Sequence, residues 1–191
     1  MSAPGPARAA ADTRSDWETP AALFDELNRE FRFTLDAAAT FETRKCRRYL
    51  TVEEDALTAD VFDEVVWCNP PYGRGIADWC EAFARWSFNG CTVVALLPAN
   101  TDTEWFHAVW AWAFELRLLR GRVSFVGTRS ANTGGSMVAV YLPQPPYVPD
   151  EIRDEPRGRW NVTPVFHYPP RVILWDWKRM PGVRAALEGV S

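Results

Sequence analysis

Val65-Val66-Trp67-Cys68-Asn69-Pro70-Pro71-Tyr72-Gly73 begins as a short apolar run and stops in two prolines. Four consecutive apolar residues fit a strand buried on both faces. Proline has no N–H for the next rung and restricts the residue before it, so the strand ends at Asn69. Two stiff residues and an aromatic ring then follow, where Gly, Asp or Asn would make an ordinary turn. Such a loop suits recognition of a planar amino group. The Asn69 carboxamide oxygen and the Pro70 carbonyl both accept hydrogen bonds, the prolines hold the second in a fixed direction, and Tyr72 offers a flat face for stacking. The plainer alternative is a proline-rich loop with an incidental tyrosine.

Working outward, apolar runs and helical periodicities alternate. Upstream, Thr19-Pro20 precedes Ala21–Phe31, where Leu23, Leu27 and Phe31 recur at helical spacing. Thr19 reads as the N-cap and Pro20 as the first helical residue, a terminus that also suits a carboxylate ligand. Phe33-Thr34-Leu35-Asp36 then reads as a strand entering Ala37-Ala38-Ala39, where small side chains leave room for a ligand. A turn-initiating aspartate is the competing reading of Asp36. Residues 41–63 lack apolar runs, and their cluster Arg44-Lys45-Cys46-Arg47-Arg48 reads as a solvated face, with phosphate contact the lesser alternative.

Downstream, Ile76, Trp79, Cys80, Phe83 and Trp86 mark a helix to about Phe88, stopped by Asn89-Gly90. Strands are expected at Cys91–Pro98, Leu116–Leu119, Val123–Val126 and Ser136–Leu142, with a helix over Thr103–Phe114 capped by Asp102. This alternation implies an α/β fold whose largely parallel sheet is covered on both faces. Asp36, Asn69 and Pro98–Asn100 all fall at carboxyl ends of strands, the edge where open α/β sheets bind ligands.

Composition narrows the class. The chain has 191 residues, enough for one core, and no apolar run near the length of a membrane span. Cys46, Cys68, Cys80 and Cys91 contain no Cys-x-x-Cys and are joined by only His107 and His167, which argues against zinc and for reduced thiols in a cytosolic protein. Net charge is −4, but residues 1–110 carry −8 and residues 111–191 carry +4, so the second half can meet phosphates. Three parts are expected: a tail over residues 1–15, a folded domain over 16–143, and a C-terminal arm over 144–191. The arm interleaves prolines and aromatics with Arg153, Arg157, Arg159, Arg171, Lys178 and Arg179, a composition that fits either nucleic-acid contact or an arm folded back on the domain.

Taken together, Asp-Trp-Glu-Thr-Pro at 16–20, Leu-Asp-Ala-Ala at 35–38, Trp-Cys-Asn-Pro-Pro-Tyr-Gly at 67–73, Leu-Leu-Pro-Ala-Asn-Thr-Asp-Thr at 96–103 and Gly-Arg-Val-Ser-Phe at 121–125 are similar to the phage-type DNA N6-adenine methyltransferases, the Dam-like family. The resemblance covers about residues 16–142. It implies a Rossmann-like class I methyltransferase fold with an antiparallel last strand, S-adenosylmethionine as cofactor, double-stranded DNA as partner, no metal, and action in the cytoplasm of a bacterium or phage-infected host. It implies that Thr19 and Pro20 border the methionine carboxylate, that Asp36 with Ala37 holds the amino group, and that Asp55 with Ala56 meets the adenine. Asn69, Pro70 and Tyr72 would hold the target base. Pro71, Arg74, Asn100, Arg122 and Ser136 are candidates for DNA contact.

Two departures stand out. The glycine-rich turn common after the first strand is replaced by Ala37-Ala38-Ala39-Thr40, and the ribose-binding acid of the second strand has only Glu42 as a candidate. The loop alone also fits N4-cytosine, RNA guanine and protein glutamine methyltransferases. A non-catalytic DNA-binding module and an interaction domain using the aromatic arm are the readings outside enzymes.

Overall fold

The computed structural model describes residues 18–126, 134–144 and 169–180. The expectations for the N-terminal tail, Asp16-Trp17 and most of the C-terminal arm lie outside the described residues. In chain order the elements are α1 (Ala21–Phe31), β1 (Leu35–Asp36), β2 (Arg48–Tyr49), β3 (Val65–Cys68), α2 (Ile76–Phe88), β4 (Thr92–Pro98), α3 (Glu104–Trp112), β5 (Glu115–Leu119), β6 (Ser136–Tyr141) and β7 (Arg171–Trp175), followed by a short 3-10 turn, Trp177–Arg179.

The seven strands form one sheet in the order β2-β1-β3-β4-β6-β5-β7. Every neighbouring pair is parallel except those involving β6, which runs against both β4 and β5. The reversed strand is the last of those legible in the sequence, and β7 follows it as a parallel edge strand inside the segment read as an arm. The carboxyl ends of β1, β3, β4, β5 and β7 therefore share one edge with the start of β6, where Ser136 pairs with Pro98.

Alternation along β4 explains the three layers, because successive side chains of a strand point to opposite faces. Val93, Ala95 and Leu97 join Cys80, Phe83 and Trp86 of α2 and Phe106 and Val109 of α3 in one core. Val94 and Leu96 join Leu23, Phe24 and Leu27 of α1, together with Trp67 and Trp175, in the other. Helices thus cover both faces, and all four cysteines are buried free thiols.

Three local expectations change. Helix α1 begins at Ala21, with Pro20 as its N-cap and no side-chain cap bond, one residue later than read. Proline at that position keeps an extended ψ of 131° and presents its carbonyl to the N–H groups of Leu23 and Phe24. Helix α3 is capped by Thr103 rather than Asp102, and the Thr103 hydroxyl turns back to the Asn100 carbonyl. Val123–Val126 has the alternating burial of a strand but makes a single bridge, Val126 to Glu18, so no ladder forms.

The stop of α2 follows the sequence closely. The Cys91 N–H donates to Trp86 and the Gly90 N–H to Ser87, with Gly90 at φ 84°, which is a Schellman closure on a glycine.

Candidate active site at the carboxyl edge of the sheet

Asp36 ends β1 and is nearly closed to solvent at 3% exposure. Its Oδ1 accepts from the Ala38 N–H at 3.3 Å and its Oδ2 from the Lys45 N–H at 2.9 Å. Burial raises its pKa, against the opposing effects of those two N–H groups and the Lys45 charge. Each carboxylate oxygen has a second lone pair, so both bonds leave capacity for a further donor. The Lys45 ammonium lies 2.7 Å from Glu18 Oε1. The basic cluster at 44–48 is therefore more than a solvated face: Lys45 joins the end of β1 to the residue before Thr19, which is itself buried.

From Glu18 the contacts continue across the sheet edge. The Glu18 carbonyl accepts from Val126 at 3.0 Å. Phe125 is buried and meets the Tyr72 ring edge-on, with centroids 6.1 Å apart. The Tyr72 hydroxyl donates to the Leu96 carbonyl of β4 at 3.2 Å, and burial pushes this phenol well above its ordinary range. A chain of contacts thus runs Asp36–Lys45–Glu18–Val126–Phe125–Tyr72–Leu96 around the edge. It ties Tyr72 to Glu18, ahead of α1.

A cleft of about 240 Å³ opens beside this chain, lined by Ala37–Thr40, Thr43, Leu50–Val52, Asp55–Leu57, Asn69, Pro71 and Trp79. That is below the ~300–1,000 Å³ usual for ligand pockets, so it suits part of a larger ligand rather than all of it. Ala37 and Ala56 are buried in its wall, and Asp55, at φ 43°, is the carboxylate among its lining residues.

The structure brings Ala37, Asp55, Ala56, Asn69 and Pro71 together around one cavity, with Asp36 directly behind Ala37. Tyr72 belongs to the neighbouring chain of contacts, and Pro70 is buried. Thr19 and Pro20 stand at the start of α1 beside Glu18. Ser136 is buried at the first rung of β6, Asn100 is exposed just past β4, and Arg74 and Arg122 are exposed on flanking loops.

Glu42 does not line the cleft; it is exposed, and its carboxylate accepts from the Thr40 hydroxyl. The second strand, Arg48–Tyr49, ends at Leu50-Thr51-Val52 instead, and those residues do line it. No site role was read from the sequence for Thr43 and Trp79, which line the cleft, or for Lys45. Among the described residues no cluster of His, Cys, Asp and Glu could hold a metal, and no helix is long and apolar enough to cross a membrane.

A mostly parallel seven-stranded sheet, helices on both faces and a cleft at the carboxyl edge of its first strands constitute a Rossmann-like methyltransferase fold. A family model described as DNA N-6-adenine-methyltransferase (Dam) matches residues 7–148, and the chain belongs to that family. Two phage proteins are similar to it. The DNA N-6-adenine-methyltransferase of Haemophilus phage HP1 (strain HP1c1) is 28% identical over 139 residues, covering 69% of this chain and 80% of that protein. The DNA N-6-adenine-methyltransferase of Escherichia phage T1 is 32% identical over 95 residues, 49% of this chain and 40% of that one. Membership makes the chain an enzyme of the DNA adenine methyltransferase class, which implies a methyl donor and a DNA substrate.

Proposed function

We propose that this protein transfers a methyl group from S-adenosylmethionine to the N6 amino group of adenine in double-stranded DNA, with the base flipped out of the helix and held by Asn69, Pro70 and Tyr72. The observation that carries the reading is that Asn69, at the carboxyl end of β3, lines the same cleft as Ala37–Thr40 and Asp55–Leu57. An acceptor of amine hydrogens therefore shares a wall with the cavity suited to the donor.

The residues present fit this cofactor. Asp36 offers a carboxylate for an ammonium, and the uncapped start of α1 at Pro20, beside Thr19, offers N–H groups for a carboxylate. The small side chains of Ala37 and Ala56 allow close approach, and Asp55 can accept from an adenine amino group or a ribose hydroxyl. When bound, S-adenosylmethionine supplies an electrophilic methyl group on a sulfonium.

The protein's own part is positional. The lone pair of an exocyclic aromatic amine is delocalised into the ring, which makes it a poor nucleophile. Hydrogen bonds from its two hydrogens to the Asn69 oxygen and the Pro70 carbonyl favour a pyramidal nitrogen whose lone pair is free to attack. No strong base is required, because the methylated nitrogen is acidic enough to lose its proton to water. Catalysis then rests on orientation and fixed acceptors. Flipping costs a few kcal/mol, offset in part by stacking on Tyr72. The site of action is the cytoplasm of a bacterial or phage-infected cell, where such DNA is found.

Incubation with methyl-labelled S-adenosylmethionine and mixed duplex DNA, followed by nucleoside mass spectrometry, tests the reading. Labelled N6-methyladenine is the expected product. N4-methylcytosine would overturn the base assignment, and no labelled nucleoside would overturn the activity.

A further inference from the structure

We infer that Arg122, Lys178 and Arg179 form a phosphate-contacting surface for the DNA strand that carries the target nucleotide. Lys178 and Arg179 come from a part of the chain beyond the family match, which ends at residue 148. The inference rests on the DNA-methylating reading above and extends it to a part of the chain that reading does not use.

The geometry begins with β7. It pairs in parallel with β5, Leu119 opposite Trp175, so the turn after β7 emerges at the same edge as the loop after β5. The Arg120 N–H continues the ladder to the Trp175 carbonyl at 3.0 Å. Trp175 and Trp177 are buried in the core shared with α1, which anchors the turn. Lys178 is carried over Gly121, with its Nζ 3.5 Å from where a Cβ on that glycine would stand. Gly121 sits at φ 81°, where an L side chain would be strained.

Charge then accumulates. Asp176 Oδ2 accepts from Arg120 Nη1 at 2.9 Å and lies 3.1 Å from Arg179 Nε. One carboxylate thus holds two guanidiniums side by side, while Arg122 and Lys178 add two more cations to the same corner. Four cations against one anion leave a net charge of +3 on exposed side chains, in a chain whose overall charge is −4. A local positive corner on an acidic protein directs the approach of a polyanion.

The corner is also placed with respect to the site. From Gly121 to Val126 the chain alternates, with Val123 and Phe125 buried and Arg122, Ser124 and Val126 exposed. Phe125 meets the Tyr72 ring. Three residues of chain span at most roughly 10 Å, so Arg122 stands within about three base-pair rises, measured along a duplex axis, of Phe125. Contacts of this kind fix where DNA lies and carry no sequence information.

The test measures binding of a short adenine-containing duplex by fluorescence anisotropy across about 50–200 mM salt. It compares the full-length wild type with Lys178→Ala/Arg179→Ala and with Arg29→Ala, a control in the last turn of α1. The double variant should lower the slope of log K against log[salt] by about 2, one phosphate contact each. The loss should be the same for duplexes of unrelated sequence, with the thermal shift caused by S-adenosylmethionine unchanged. A slope equal to wild type, or an equal change in the Arg29 control, would overturn the inference while wild-type methylation still supported the main reading. A wild type that fails to bind DNA would overturn both.

Discussion

Lys45 holds Asp36 with its backbone and Glu18 with its side chain, at 2.9 Å and 2.7 Å. One residue therefore sets the position of the proposed ammonium-binding carboxylate and of the chain entering α1. The Asp36 carboxyl has its pKa raised mainly by burial, so its ionised form is held at a cost that a bound ammonium would relieve.

The first prediction concerns pH. The ionised carboxylate is the form that binds an ammonium, so affinity for S-adenosylmethionine should be complete at neutral pH. It should fall as pH drops through the Asp36 pKa, beginning above the ordinary aspartate range. Asp36→Asn should weaken binding roughly 10–100-fold, the loss of one hydrogen bond to a charged group, and should flatten the pH dependence. Calorimetric titration across mildly acidic pH decides; an affinity that follows the wild-type profile in Asp36→Asn would remove Asp36 from the site.

The second prediction separates the two sides of the Asn69 loop. Tyr72→Phe keeps the ring and loses the bond to Leu96, so stability should fall by about 1 kcal/mol with little change in turnover. Tyr72→Ala should weaken DNA engagement by roughly 10–100-fold through lost stacking. Asn69→Ala should lower kcat by roughly 10²–10³ with S-adenosylmethionine binding nearly intact. Denaturant unfolding reads the first, binding to a duplex with 2-aminopurine at the target position reads the second, and steady-state kinetics on the adenine duplex reads the third. A normal kcat in Asn69→Ala, or unchanged 2-aminopurine fluorescence when the wild type binds, would refute the roles given to this loop.

Much of this arrangement was legible because apolar runs report burial directly. β3, β4 and α2 lie in the centre of the molecule and carry their signal in their own residues, as does the stop at Asn89-Gly90. β2 is two residues long, partly exposed and at the sheet edge, so only its pairing with β1 defines it. β7 is flanked by prolines, and Val172 and Leu174 are exposed, which resembles a loop more than a buried strand. Val123–Val126 shows the converse: its alternation is real, but a strand also needs a partner, and only Glu18 provides one rung. The role of Lys45 had no local signal, since its partners stand 9 and 27 positions away.

A third prediction concerns the support beneath β5. Arg117 is buried, donates two bonds of 2.6 Å to Glu30 of α1 and one of 2.5 Å to Glu115. Burial lowers its pKa, but the bonds to the two glutamates outweigh this and the guanidinium stays charged. Arg117→Leu leaves Glu115 buried without its principal partner and should cost about 3 kcal/mol in denaturant unfolding. Arg117→Leu/Glu115→Leu should recover much of that loss. A single variant as stable as wild type would show that this network contributes only packing.

The fourth prediction tests the closure of α2. Gly90 stands at φ 84°, and a Cβ there would lie 2.4 Å from Asp63 Oδ1. The aspartate side chain can move aside, so backbone strain should dominate. Gly90→Ala should destabilise by about 1–2 kcal/mol, the cost of a left-handed conformation for an L-residue. Gly90→Asn should lose less, since asparagine tolerates that region. Equal stability of Gly90→Ala and wild type would mean that the turn opens at little cost.

The last prediction concerns the buried thiols. Burial, with lesser effects from Asp36 and Glu64, pushes Cys46 up to about 12; burial with Glu81 does the same to Cys80. At pH 8 the thiolate fraction of each is roughly 10⁻⁴, so neither should react with a thiol reagent until the protein unfolds. The sign of the stability effect follows from proton counts. Below about pH 8.5 both folded and unfolded thiols are protonated and nothing changes. Between about 8.5 and 12 the unfolded chain gives up protons that the folded chain retains, so stability falls as pH rises. Each such thiol should contribute up to ~1.4 kcal/mol of loss per pH unit in that window. Cys46→Ala/Cys80→Ala should therefore unfold with a shallower alkaline dependence than wild type, even though removing the two side chains lowers its stability at pH 7. Parallel alkaline profiles, or rapid labelling of the native protein at pH 8, would show that these thiols reach water in the folded state.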